Sequence, residues 1–144
     1  MFTITPMVID HYDALMNLMR QTPGVSVRDA DSLTATTRYL DRNPGLSFIA
    51  KVGDEIVGCV MSGHDGRRGY LQHLVVLSEY RRQGIAKALV DSCLLQLDAL
   101  GIQKTHIDVL KTNEMGAAFW EGQGWNLRTD IHRYSFVPNG KANA

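Results

Sequence analysis

A chain of 144 residues with 44% apolar and 21% charged side chains can bury one sizeable core, so a single domain over residues 1–144 is expected. Its 15 Lys and Arg balance 15 Asp and Glu, and a net charge of zero speaks against the broad basic face used to bind nucleic acid. Cys59 and Cys93 both sit in apolar segments and read as buried free thiols rather than a disulfide, and no Cys/His cluster has the spacing of a metal site. No run of about 18 apolar residues predicts a membrane span, and the first residues lack the basic-then-apolar order of a signal peptide. A cytoplasmic protein is the expectation.

Taken in chain order, residues 2–5 predict a short strand and residues 10–19 a helix capped by Asp10, with Tyr12, Leu15, Met16, Leu18 and Met19 on its apolar face. Thr22-Pro23-Gly24 breaks that helix. A second helix is predicted over 32–42, ended by Asn43-Pro44-Gly45. Segments 46–52 and 55–62 alternate as strands around Gly53-Asp54, which makes a hairpin. A second turn at Asp65-Gly66 leads into a strand over 70–77. Residues 84–100 have helical spacing, with Gly101 in the position that follows a helix end. A strand over 104–110, a helix over 113–122, and strands over 125–127 and 131–137 complete the reading, and residues 138–144 read as a frayed tail. The order β-α-α-β-β-β-α-β-α-β-β gives an α/β (α+β) layout: antiparallel hairpins followed by one β-α-β unit whose flanking strands are parallel.

The segment from Leu74 to Ala86 carries the chemistry. An apolar strand, Leu74-Val75-Val76-Leu77, runs through Arg81-Arg82-Gln83-Gly84-Ile85-Ala86 into an amphipathic helix. Small residues at Gly84 and Ala86 let an anion approach the backbone, and a helix that begins there aims unbonded N–H groups at it. This Arg-x-x-Gly-x-Ala turn after a strand resembles the acyl-CoA pyrophosphate loop of the GNAT N-acetyltransferases. Further on, Asp108 to Asn113 and then Phe119-Trp120-Glu121-Gly122-Gln123-Gly124-Trp125 resemble the family's strand-Asn-helix segment, and the element order matches over nearly the whole chain. Residues 63–70 are similar to a bacterial subgroup of undefined substrate.

The resemblance implies a central mixed sheet of about six to seven strands flanked by about four helices, and acetyl-CoA as co-substrate with no metal. It implies transfer of the acetyl group to a primary amine by direct attack in a ternary complex. It places Leu74 where a backbone N–H polarises the acetyl carbonyl, with Val75 and Val76 along the pantetheine arm. Arg81, Arg82, Gln83, Gly84, Ile85, Ala86 and Lys87 align with the pyrophosphate loop, and Asn113, Phe119 and Trp120 with residues near the cofactor arm. A bulge in the strand before the loop is also implied, as is a homodimer. Trp120 stands where many members carry a Tyr that protonates the leaving thiolate, and an indole N–H cannot deliver a proton at neutral pH.

The acceptor side is less distinct. An amine must lose a proton before it attacks. Tyr70 and Gln72 share facing parity with Leu74, and Tyr70 is the candidate for a proton path. His73 has the opposite parity and is expected to pack or face solvent, with a catalytic role as the lesser alternative. His64 and Asp65 border the expected acceptor mouth, although Asp65-Gly66 also suits a plain turn. Asp108 is a second candidate, as a carboxylate in a strand expected to be buried. Residues 19–31 are expected to border the acceptor pocket. A non-catalytic acyl-CoA-binding module is the alternative reading, because Trp120 replaces Tyr and no obvious base is present. The acceptor, a small molecule or a protein amine, is not specified.

Overall fold

The computed structural model describes residues 1–144, which divide into two compact units, Met1–Ile107 and Asp108–Ala144. The first unit contains the whole sheet. Its strands are β1 (Thr3–Pro6), β2 (Phe48–Val52), β3 (Glu55–His64), β4 (Gly69–Val76) and β5 (Thr105–Ile107), side by side in that order. The first four pair antiparallel, and β4 pairs parallel to β5. Helix α1 (Tyr12–Arg20) follows a 3-10 turn at Ile9–His11, and α2 (Leu33–Arg42) follows another at Asp29–Asp31. The crossover helix α3 (Ile85–Ala99) joins β4 to β5, and so makes those two strands parallel.

Local chemistry sets the boundaries. The Ala35 N–H donates to Ser32 Oγ at 3.1 Å, so Ser32 caps α2. Asp10 does not cap α1 as expected. It lies inside the 3-10 turn, which is closed by the Val8 N–H donating to His11 Nδ1 at 3.1 Å. At the other end of α2, Asn43 Nδ2 donates to the Tyr39 carbonyl at 3.1 Å while its Oδ1 accepts from the His64 N–H at 3.2 Å. One buried amide therefore ties the end of α2 to the end of β3.

Every residue of β3 from Val57 to Gly63 is buried, so both faces of this central strand are covered, and both α1 and α3 pack against it. Gly58 allows a close approach: a Cβ there would sit 3.4 Å from Leu89 Cδ1 of α3 and 3.0 Å from the Val75 carbonyl. Leu15, Met19, Ile49, Ile85, Leu89 and Leu97 fill the core around it.

The second unit holds α4 (Glu114–Gly122), capped by Asn113, whose Oδ1 accepts from the Gly116 N–H at 2.8 Å. Trp120 is buried and meets Phe119 and Trp125 edge-on, at centroid distances of 5.1 and 4.6 Å. The expected strands over 125–127 and 131–137 do not form, so the sheet has five strands, and β5 is shorter than the span 104–110 predicted for it. Leu127, Ile131, Tyr134 and Phe136 are exposed. Strand preference in such residues reflects packing on a neighbouring ladder, and without a ladder the segment stays irregular.

Leu89→Ala removes a side chain with 0% exposure from the α3–β3 contact. We expect a loss of about 2–5 kcal/mol in urea denaturation at unchanged slope.

Candidate functional site

Three features of the first unit converge around β4. The first is the turn that follows it. Beyond a 3-10 turn at Ser78–Tyr80, Arg82 and Gly84 adopt left-handed φ values of 62° and 83°. Gly84 starts α3 without a side-chain cap; its carbonyl accepts the Ala88 N–H at 3.0 Å, so the N–H groups of Ile85, Ala86 and Lys87 begin the helix without intrahelical acceptors. A Cβ on Gly84 would meet open space, so the demand for glycine is conformational and leaves a clear approach to those donors. Arg81 Nε reaches back to the Val76 carbonyl at 3.4 Å and fastens the turn to the strand. Arg81, Arg82 and Gln83 are exposed. Two left-handed residues, a helix N-terminus and two exposed arginines together form a cradle suited to an anion.

The second feature is a bulge. Register along β3 and β4 runs Gly58 to Val76 and Cys59 to Val75, then resumes at Met61 to Gln72. His73 and Leu74 together stand opposite Val60, and His73 has φ 50°, a left-handed value uncommon outside glycine. Parallel pairing with β5 stops at Leu71 and Ile107, before the bulge. From Gln72 to Val76, β4 therefore runs on without a β5 partner, and it carries the bulge that the family resemblance implied.

The bulge corrects the reading of His73. Strict alternation sends His73 and Gln72 to opposite faces. Instead, His73 Nε2 lies 2.7 Å from Asp31 Oδ1, and Asp31 and Gln72 line the same cavity. A left-handed residue inverts the parity and brings the imidazole to the Gln72 side. Asp31 is 8% exposed and firmly held: its Oδ2 accepts from the Arg28 N–H at 2.8 Å, and its carbonyl accepts from the Tyr12 hydroxyl at 2.6 Å. Sequence reasoning missed this pair. Asp31 and His73 are 42 positions apart, and no local pattern couples them.

The third feature is that cavity, of about 440 Å³, lined by Ala30, Asp31, Ala35, Arg38, Tyr39, Arg42, Met61 and Gln72. The 3-10 turn and α2 supply one wall, and β3 and β4 supply the other. Arg42 is steadied by donating to the His64 carbonyl at 3.3 Å.

The remaining candidates fall in different places. Tyr70 packs its ring against His106 at 5.6 Å on the neighbouring strand. Asp65 Oδ1 accepts from the N–H groups of both Arg67 and Arg68 at 2.8 Å, a closed turn; these bonds, the one from Arg68 foremost, hold its carboxyl below the usual range. Asp108 lies beyond β5, outside any strand and exposed, 3.5 Å from Arg133; the buried strand position expected for it is absent because β5 ends at Ile107. Phe119, Trp120 and Asn113 belong to the second unit, where Asn113 acts as the cap of α4.

Cys59 donates to the His73 carbonyl at 3.4 Å and Cys93 to the Leu46 carbonyl at 3.4 Å. Burial pushes both thiols up to about 12. A thiol in that range is almost wholly protonated at pH 8 and is a poor nucleophile. Neither cysteine should react with an aromatic disulfide reagent at pH 8 in the native protein, and both should react in denaturant; rapid labelling of either in the native state would contradict this burial.

The model of the acetyltransferase (GNAT) family matches residues 12–125. An acetyltransferase of Pectobacterium atrosepticum is 39% identical over 84 residues, which span 58% of this chain and 60% of that protein. One of Yersinia pestis is 38% identical over 94 residues, spanning 65% of this chain and 67% of the relative. Among solved structures, the aminoglycoside N-acetyltransferase AAC(6')-Iy in complex with CoA superposes with a TM-score of 0.75 at 20% identity, covering 94% of this chain and 95% of that one. The PaiA N-acetyltransferase of Thermoplasma acidophilum, in complex with coenzyme A, gives 0.76 at 17% identity, covering 85% and 88%. These two likenesses establish the shared fold; with the family match over most of its length, the chain belongs to the acetyltransferase (GNAT) family.

Proposed function

We propose that this protein transfers an acetyl group from acetyl-CoA to a primary amine by direct attack within a ternary complex. The observation that carries the reading is the continuity of the bulged strand β4, without a β5 partner beyond Leu71, with the anion cradle at Arg82 and Gly84. The cradle is a fit for a pyrophosphate: backbone N–H groups and guanidinium groups meet its charge without a metal. The unpaired run of β4 offers strand-like hydrogen bonding to the amides of pantetheine, with Val75 and Val76 alongside it. The Leu74 N–H, within the bulge, would polarise the acetyl carbonyl, where charge grows during transfer. Both thiols being buried and protonated, an acyl-enzyme on cysteine is not part of this proposal.

The acceptor amine would enter the cavity between α2 and β4. Its volume suits a small molecule or an extended side chain. Tyr70 is carried as a proton-path residue, since its parity is that of Gln72, which lines the cavity. Asp108, exposed and paired with Arg133, is not carried into the chemistry. Trp120 removes the Tyr acid known from the family, and a thiolate, of pKa about 8.5 by analogy with cysteine, can leave without one.

Trp120 also favours a second reading, a non-catalytic acyl-CoA sensor. The two are separated by calorimetric titration with acetyl-CoA beside a thiol-release assay over an amine panel. Binding with amine-dependent thiol release supports the transferase; binding without release supports the sensor; no binding refutes both. Gly84→Trp should weaken acetyl-CoA binding by about 100-fold or more, the loss of one or two charge-assisted hydrogen bonds, while the circular dichroism spectrum is retained. Tyr70→Phe should lower turnover at unchanged acetyl-CoA affinity; wild-type turnover would return Tyr70 to packing against His106.

A further inference from the structure

We propose that His73 is the base that takes the proton from the acceptor ammonium, and that Asp31 is the residue that positions it; this rests on the acetyl-transfer reading above. Four observations carry it. His73 occupies the left-handed position of the β4 bulge, beside Leu74. Its ring is partly buried, with 19% of the side chain exposed, so it is shielded yet reachable. Its Nε2 is 2.7 Å from a carboxylate oxygen of Asp31, which lines the acceptor cavity. Finally, Asp31 is fixed before any ligand arrives, by the Arg28 N–H on its other oxygen and the Tyr12 hydroxyl on its carbonyl.

The tautomer follows from the chemistry of the pair. An ionised carboxylate only accepts hydrogen bonds, so the proton between the two groups belongs to Nε2. Nδ1 then carries the lone pair, and no group of the fold donates to it. The groups bonded to His73 are the Asp31 carboxylate from the 3-10 turn and the Cys59 thiol of β3, which donates to the His73 carbonyl at 3.4 Å; the Tyr12 hydroxyl of α1 stands behind Asp31, and Arg38 and Arg42 of α2 line the same cavity as Asp31. The Asp31 charge is the one placed to stabilise an imidazolium. Such an orienting carboxylate behind a histidine base is a recurrent solution for proton transfer.

The step balances. The ammonium gives one N–H proton to His73 Nδ1, and the freed lone pair attacks the thioester carbonyl carbon. The N–C bond forms and the C–S bond breaks, the electron pair leaving on sulfur. A second N–H proton from the nitrogen ends on that sulfur, and the proton on His73 passes to solvent. The products are an amide, a free thiol and one proton.

The test compares acceptors that need a base with one that does not. Hydroxylamine is already neutral at pH 7, whereas lysine, spermidine, kanamycin and the amino terminus of a short peptide are largely ammonium. His73→Asn is the variant of choice, because Asn tolerates the left-handed backbone. We expect it to lower kcat/KM for the best ammonium acceptor by roughly 10²-fold or more. The hydroxylamine rate and acetyl-CoA affinity should change little. The acid limb of the wild-type pH profile between pH 5 and 8, the range in which histidine changes charge, should disappear. Asp31→Asn should give a smaller fall and move that limb, which a merely structural role would not do. Equal losses for hydroxylamine and ammonium acceptors, or a retained acid limb in His73→Asn, would overturn the assignment while leaving acetyl transfer intact. Wild-type turnover of hydroxylamine with none of the ammonium acceptors would overturn it as well. No thiol release from wild type with any acceptor, hydroxylamine included, would instead refute the transferase reading itself.

Discussion

The site depends on one irregularity, the bulge that sets His73 and Leu74 against Val60. A regular β4 would keep its ladder with β3 unbroken and send His73 to the opposite side of the sheet from Gln72. The extra residue bends the strand at the point where its pairing with β5 has already ended. The left-handed conformation of a non-glycine residue costs free energy of about 1 kcal/mol or more. Its compensation is visible: the ring so displaced gains a short, sheltered hydrogen bond to Asp31, and the His73 carbonyl accepts from a fully buried thiol.

The same economy recurs a few residues later. Arg82 and Gly84 again use left-handed backbone, here to lead the turn after β4 into the start of a helix. The result is an array of N–H groups that the fold leaves unsatisfied, in a place open to solvent and flanked by guanidinium groups. Orphan donors at a helix start are a cost for a structural helix and a resource for one that meets an anion. A strand that loses its partner and a helix that lacks its cap lie within a dozen residues of each other. Both leave backbone hydrogen-bonding capacity available on the same stretch of chain.

Much of this was legible in the sequence, and the exceptions have physical causes. The helices and the hairpin followed from periodicity and from the turn at Gly53-Asp54, whereas the caps at Ser32 and Asn113 emerged only in the structure. The turn into α3 was legible because a small residue at 84 and a helix start at 85 leave a local mark. The pairing of His73 with Asp31 was not, because a one-residue change of register alters no composition, and parity reasoning fails on the far side of it. The C-terminal strands were overread. Ile131, Tyr134 and Phe136 have the composition of a strand, but composition cannot supply the neighbour that a strand pairs with. Asp108 was misplaced for a related reason, since β5 ends one residue before it.

The cavity wall and the anion cradle occupy separate stretches of the chain. Ala30, Asp31, Ala35, Arg38, Tyr39 and Arg42 lie within thirteen consecutive positions, all before the first central strand, and four of them project from a single helix. Arg38 and Arg42 are exposed and Ala35 is half-buried, so substitution there disturbs little of the core around β3. The arrangement is modular: substitutions on one short helix can reshape and recharge the chamber it borders without touching the bulge, the cradle or the buried sheet.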